Sequence, residues 1–146
     1  MDFEVMVAAG SVKGHTRKMV VVGCYLPPGY APGQGEEALQ HISDVLVHVK
    51  QRFTDPYIIV TGDFNQWAVE DTLLDFPDIR EAPVGATRNG RAIDRIFTNM
   101  SRSVGVAGVL APLETEEGDK KSDHGVAYCS IEIPKLRSFE WQTFTY

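Results

Sequence analysis

Tyr57-Ile58-Ile59-Val60-Thr61-Gly62-Asp63-Phe64-Asn65 runs from unbroken apolar residues into a glycine, a carboxylate and a carboxamide. A strand of that character is covered on both faces, as at the centre of a layered α/β structure. It therefore hands Asp63 and Asn65 to its tip. Asp55-Pro56, just before it, stops any preceding helix. Two further acidic sites lie downstream: Ile93-Asp94-Arg95-Ile96-Phe97 holds Asp94 inside another strand-like run, and Ser122-Asp123-His124-Gly125 sets a carboxylate beside an imidazole ahead of apolar residues 126–133. Three strand ends carrying Asp/Asn, Asp and Asp-His predict one hydrolytic site.

Upstream, residues 3–9 and 19–26 alternate as strands joined by the polar turn 10–18, a hairpin pattern that Pro27-Pro28-Gly29 ends. The clearest helix follows over residues 36–53. Leu39, Ile42, Leu46, Val49 and Phe53 recur at three- and four-residue steps, and the acidic start and basic end suit the helix dipole. Its role is to pack on a sheet. Residues 66–76 predict a short helix, Pro77 and Pro83 bracket an irregular region, and residues 91–99 and 104–110 read as strands.

The 146 residues suffice for one domain. A hydrophobic fraction of 43% and a charged fraction of 23% are those of a globular chain, with no apolar run able to span a bilayer. The reading is of an intracellular protein without membrane contact. Cys24 and Cys129 sit in separate strand-like runs, outside any zinc-type cluster, and read as free thiols in a reducing compartment. A net charge of −6 argues against tight non-specific binding of nucleic acid by this chain alone. Carboxylates gathered for a cation account for part of it. His15, His41 and His48 read as unrelated to the site.

Taken in order, Val22-Gly23-Cys24-Tyr25-Leu26-Pro27-Pro28, Gly62-Asp63-Phe64-Asn65, Asp94 and Ser122-Asp123-His124 resemble the motifs of the endonuclease/exonuclease/phosphatase superfamily. The resemblance covers residues 2–134 and is to the C-terminal half of the family. It implies an α/β (α+β) fold, half of a four-layered α/β sandwich of the DNase-I-like type, with a mixed sheet flanked by helices. Residues 1–134 form the partial domain and 135–146 an aromatic tail or linker. That tail resembles a segment following the endonuclease domain in polyproteins of non-long-terminal-repeat retrotransposons, and a tail folding back on its own sheet is the plainer alternative.

The resemblance implies metal-dependent phosphodiester hydrolysis of nucleic acid, DNA rather than RNA, with Mg2+ or Mn2+. Asp63 positions or activates the water, Asn65 and Tyr25 contact the phosphate, and His124 does so with Asp94 as its partner. Asp123 is the metal-proximal carboxylate. Arg88, Asn89 and Arg91 are candidate substrate contacts. The chain departs from the family pattern in showing no match to its N-terminal metal-binding glutamate and asparagine; Glu4 reads as an ordinary strand residue. Turnover is the property this departure bears on. A non-catalytic interaction module and a phosphatase are the alternatives, and a nuclear location follows if the chain is retroelement-derived. Half a sandwich also predicts a sheet face lined by Val20, Val22, Ile58, Val60 and Ile96 in contact with water, covered by a second copy in a homodimer.

Overall fold

The computed structural model of the chain describes residues 2–119 and 122–133. The aromatic segment 138–146 lies outside the described residues. Strands β1 (Glu4–Ser11) and β2 (Lys18–Tyr25) form the expected antiparallel hairpin. Helix α1 (Pro32–Arg52) then crosses to β3 (Tyr57–Asp63), which pairs parallel to β2, as a long crossover requires. A short helix α2 (Val69–Thr72) and strand β4 (Arg80–Glu81) lead to β5 (Asp94–Thr98), which runs antiparallel to both β3 and β4. The mixed sheet has the order β1-β2-β3-β5-β4, so β3 is central as its apolar run predicts. Strands β6 (Val104–Leu110) and β7 (Val126–Ile131) form a separate antiparallel pair.

α1 begins in the Gly/Pro-rich stretch, four residues ahead of the expected start. Pro32 occupies the first turn, where its missing N–H costs nothing, and the Gln34 side chain accepts the Ala31 N–H at 3.1 Å. Glu36 and Glu37 consequently fall outside the first turn, and the expected acidic start is not there; Lys50 and Arg52 do close the basic end. The helix buries Ala38, Ile42, Leu46 and Val49 on the sheet. Each large aliphatic side chain so buried contributes about 2 kcal/mol.

Val20, Val22, Ile58 and Val60 are fully buried beneath α1, and Ile96 is 8% exposed. The water-exposed face expected of these residues is therefore corrected, because the helix stripe and the β6–β7 pair cover it. Ala82, Val84 and Ile96 form a second, smaller cluster on the opposite side of the sheet, against Ile59, Val104, Val109, Ala127 and Cys129. Exposed apolar side chains lie elsewhere, at Met6 on β1 and at Val106 and Leu110 on β6. Neither cysteine is bridged, and burial pushes the Cys24 thiol up to about 12, which keeps it protonated and inert.

Candidate active site

In a sheet, residues directly opposite one another share a face. Tyr25 of β2 lies opposite Asp63 of β3, and Asp63 lies opposite Asp94 of β5. One row across three strands thus carries three of the expected site residues. β3 can deliver Asp63 there because Gly62 lets the backbones close up. Its φ is 155°, and a Cβ would stand 1.8 Å from the Cys24 carbonyl oxygen.

Beyond Gly62 the chain turns sharply. The Asp63 Oδ1 accepts the Asn65 N–H at 3.0 Å, the Asp63 carbonyl accepts the Leu26 N–H at 2.9 Å, and Phe64 drops into the core with no exposure. Asn65 sits at φ 46°, a left-handed conformation that asparagine tolerates, and its Nδ2 donates to the Leu26 carbonyl at 2.7 Å. The carboxamide therefore ties the ends of β2 and β3 together with one of its two amide hydrogens.

His124 arrives from the loop before β7. Its Nδ1 stands 2.7 Å from Asp94 Oδ2 and 4.0 Å from Asp63 Oδ2, with all three side chains between 21% and 24% exposed. A carboxylate only accepts, so the Asp94 bond places a proton on Nδ1 and leaves Nε2 for other partners. Asp63 is held above the ordinary carboxylate range, chiefly by burial and further by Asp94; the Asn65 N–H, His124 and Arg88 pull the other way. Asp63, Asp94 and His124 each offer a ligand atom within 4.8 Å of the others, a set that could hold a metal ion. The proton on Nδ1 keeps that nitrogen from ligating while it bonds Asp94, so the two carboxylates supply the oxygen donors and Nε2 is the ring nitrogen left free. Oxygen donors of this kind suit a hard divalent cation.

Asp123 stands apart from this group. Arg88 Nε pairs with its Oδ2 at 2.7 Å, while its Oδ1 is 3.7 Å from His124 Nε2. Arg88, Asn89, Gly90 and Arg91 form a tight turn closed by reciprocal backbone bonds, with φ 47° at Asn89 and 74° at Gly90. Those two positive angles are what the Asn-Gly pair supplies in a type I′ hairpin. The turn walls a cavity of about 790 Å³, also lined by Pro28, Asn65, Gln66 and Ile93, and Arg88 carries that wall over to Asp123. A second cleft of about 380 Å³ is lined by Asp63, Asp94 and His124 themselves.

Sequence reading missed Thr87. It is 5% exposed, its Oγ1 donates to Asp94 Oδ2 at 2.7 Å and accepts the Asp94 N–H at 3.1 Å, and its carbonyl accepts the Gly125 N–H at 2.7 Å. The signal for it was the Asn-Gly turn just after it, which folds residues 87–91 back toward Asp94. Arg95 was also passed over: it bridges Glu81 on β4 and Glu70 on α2 at 2.6–2.8 Å and fastens the sheet edge beside the site.

The endonuclease/exonuclease/phosphatase family model matches residues 2–124. The chain belongs to this family. No curated protein matches the family member by sequence. Among solved structures it is similar to humanized D. rerio TDP2 carrying 14 mutations, at 15% identity and a TM-score of 0.63, with 91% of this chain and 67% of that one covered. D. rerio TDP2 complexed with single strand DNA product is matched at 15% identity and a TM-score of 0.61, covering 91% and 68%. The mannosyl-6-phosphatase of Bacteroides thetaiotaomicron is matched at 17% identity and a TM-score of 0.59, covering 80% and 52%. This member of the family therefore spans 52–68% of the length of those chains, and the likeness to them is one of fold. No helix among the described residues is long and apolar enough to cross a membrane.

Proposed function

We propose that the chain hydrolyses phosphodiester bonds of nucleic acid, DNA in preference to RNA, in the presence of Mg2+ or Mn2+. One observation carries this reading: Asp63 and the Asp94–His124 pair, distant in sequence, meet within 4.8 Å at the end of the central strands. The Asp63 and Asp94 carboxylates would hold the cation, which when bound would supply charge neutralisation at the phosphate. Asp63, 4.0 Å from the His124 ring nitrogen, orients the attacking water. In its doubly protonated form His124 donates its Nε2–H to a non-bridging oxygen while Asp94 accepts its Nδ1–H. Tyr25, in the same row, donates its hydroxyl to the phosphate.

The cavity beside the site favours a polymeric substrate over a small ester. Arg88 and Arg91 give it positive side chains in a chain of net charge −6, and its volume of about 790 Å³ accommodates a nucleotide next to the scissile bond. Asn65 and Asn89 line the same space. The similar D. rerio TDP2, solved with a single strand DNA product, supports DNA as the polymer. A nuclear, retroelement-derived setting and self-association as a homodimer belong to the same proposal. The dimer now rests on the exposed Met6, Val106 and Leu110, and sedimentation as a compact monomer at micromolar concentration removes it.

Plasmid nicking with and without Mg2+ tests the reading. Metal-dependent nicking by the wild type, lost in Asp63→Ala and His124→Ala, is the expected result. Absence of cleavage of DNA, RNA and a model phosphodiester overturns it in favour of a non-catalytic module. Hydrolysis of 4-nitrophenyl phosphate alone makes the chain a phosphatase.

A further inference from the structure

We infer that Thr87 is a positioning residue whose hydroxyl fixes the Asp94 carboxylate and, through it, the aim of the His124 ring. Its kinetic consequence rests on the hydrolytic reading above; its geometric consequence does not. Thr87 and Thr98 are the buried polar side chains among the described residues, and a buried hydroxyl must satisfy both its donor and its acceptor. Thr98 does so on backbone groups alone, donating to the Ile58 carbonyl at 2.8 Å and accepting the Met100 N–H at 3.1 Å. Thr87 does so entirely on Asp94, donating to Oδ2 at 2.7 Å and accepting the main-chain N–H at 3.1 Å. That closed pair of bonds sets the carboxylate against its own backbone.

The oxygen that takes the Thr87 proton is the one that takes the His124 proton, since Nδ1 is 2.7 Å from the same Oδ2. With one lone pair committed to the hydroxyl, the imidazole is confined to the other. The ring plane is fixed accordingly, and Nε2 is aimed out of the pair. Thr87 also holds the opposite partner by its backbone, because its carbonyl accepts the N–H of Gly125, the residue that follows His124. One residue thus grips both members of the dyad, with the side chain on Asp94 and the main chain beside His124.

Thr87→Val keeps the shape and removes the hydroxyl, Thr87→Ser keeps the hydroxyl, and Thr98→Val removes a buried hydroxyl away from the site. We expect Thr87→Val to lower kcat on bis(4-nitrophenyl) phosphate with Mg2+ on the order of 10- to 100-fold, with KM within about 2-fold. Thr87→Ser should stay within about 3-fold of wild type, and Thr98→Val should lose melting temperature while keeping kcat. In proton NMR the slowly exchanging Nδ1–H signal of His124 should persist in wild type and Thr87→Ser and broaden in Thr87→Val. An unchanged kcat and Nδ1–H signal in Thr87→Val, or equal losses in the Val and Ser variants, overturns the inference. A wild type that hydrolyses no phosphodiester while its Nδ1–H signal still depends on the Thr87 hydroxyl removes the hydrolytic reading and leaves the positioning role standing.

Discussion

The two faces of the sheet are made by alternate residues of the same strands, yet they do different work. Toward α1, Val20, Val22, Ile58 and Val60 are fully buried, while on the other side Val21, Ile59, Thr61, Tyr25 and Asp63 keep part of their surface in solvent. One face is core; the other gives part of its area to the smaller cluster and its end to the site. The split is sharpest at the end of β3, where Asp63 is on the solvated side and its neighbour Phe64 is sealed in the core. A period of two residues therefore lets a single strand stabilise the fold and present a carboxylate without compromise between the two.

Substitutions that separate the faces should separate stability from activity. The largest effect belongs to the site: Asp63→Ala and His124→Ala should each cut metal-dependent phosphodiester cleavage by roughly 10²- to 10⁴-fold, with melting little changed. Loss of both activity and fold would break the comparison. Next is Gly62→Ala, which forces a Cβ into the Cys24 carbonyl and should destabilise by about 4 kcal/mol in urea unfolding, taking core and site down together. On the core face, Leu46→Ala should cost about 2–5 kcal/mol while the folded fraction retains its activity per molecule. At the small end, Leu110→Ser on the exposed side of β6 should change stability by no more than about 0.5 kcal/mol.

Proton linkage sharpens the same contrast. The Asp63 carboxyl is raised in the fold above its ordinary 3.8, mainly by burial, so the folded state binds the extra proton and stability falls as pH rises through the window above 3.8. Glu70 is shifted down from 4.5: burial pushes it up, but its backbone bond and Arg95 outweigh that, so its contribution is present above 4.5 and fades as pH falls through the lowered value. Asp63→Asn should flatten the first dependence and Glu70→Gln the second in denaturation curves taken across acid pH. Divalent cation should reverse the Asp63 trend, since it competes with the proton for the same carboxylate. A metal-independent curve would count against the two carboxylates as its ligands.

The elements with strong periodicity were legible in the sequence. Tyr57–Asp63 read as the central strand because its apolar run is unbroken, and Ile42, Leu46 and Val49 announced the helix face. The pairing of Asp94 with His124 came from the resemblance to the family and not from any periodicity. What escaped was decided by tertiary placement. Val20, Val22, Ile58 and Val60 were assigned to water on the expectation that half a sandwich leaves that face bare, whereas the helix stripe covers it. Arg80–Glu81 has no alternation to betray a strand, and the Arg88–Asp123 ion pair is made by a turn that no periodicity announces. Thr87 carries no periodic signal, because its partner Asp94 is supplied by a turn instead of by a ladder.

The parallel pairing of β2 with β3 has a kinetic consequence. Such a pair closes only after the whole α1 crossover is in place, and Asp94 must still find His124 across 30 intervening steps of chain. Contacts that remote form late in folding. Assembly of the Asp63–Asp94–His124 group should therefore follow helix formation during refolding, so that a half-assembled chain would carry the carboxylates without the imidazole beside them.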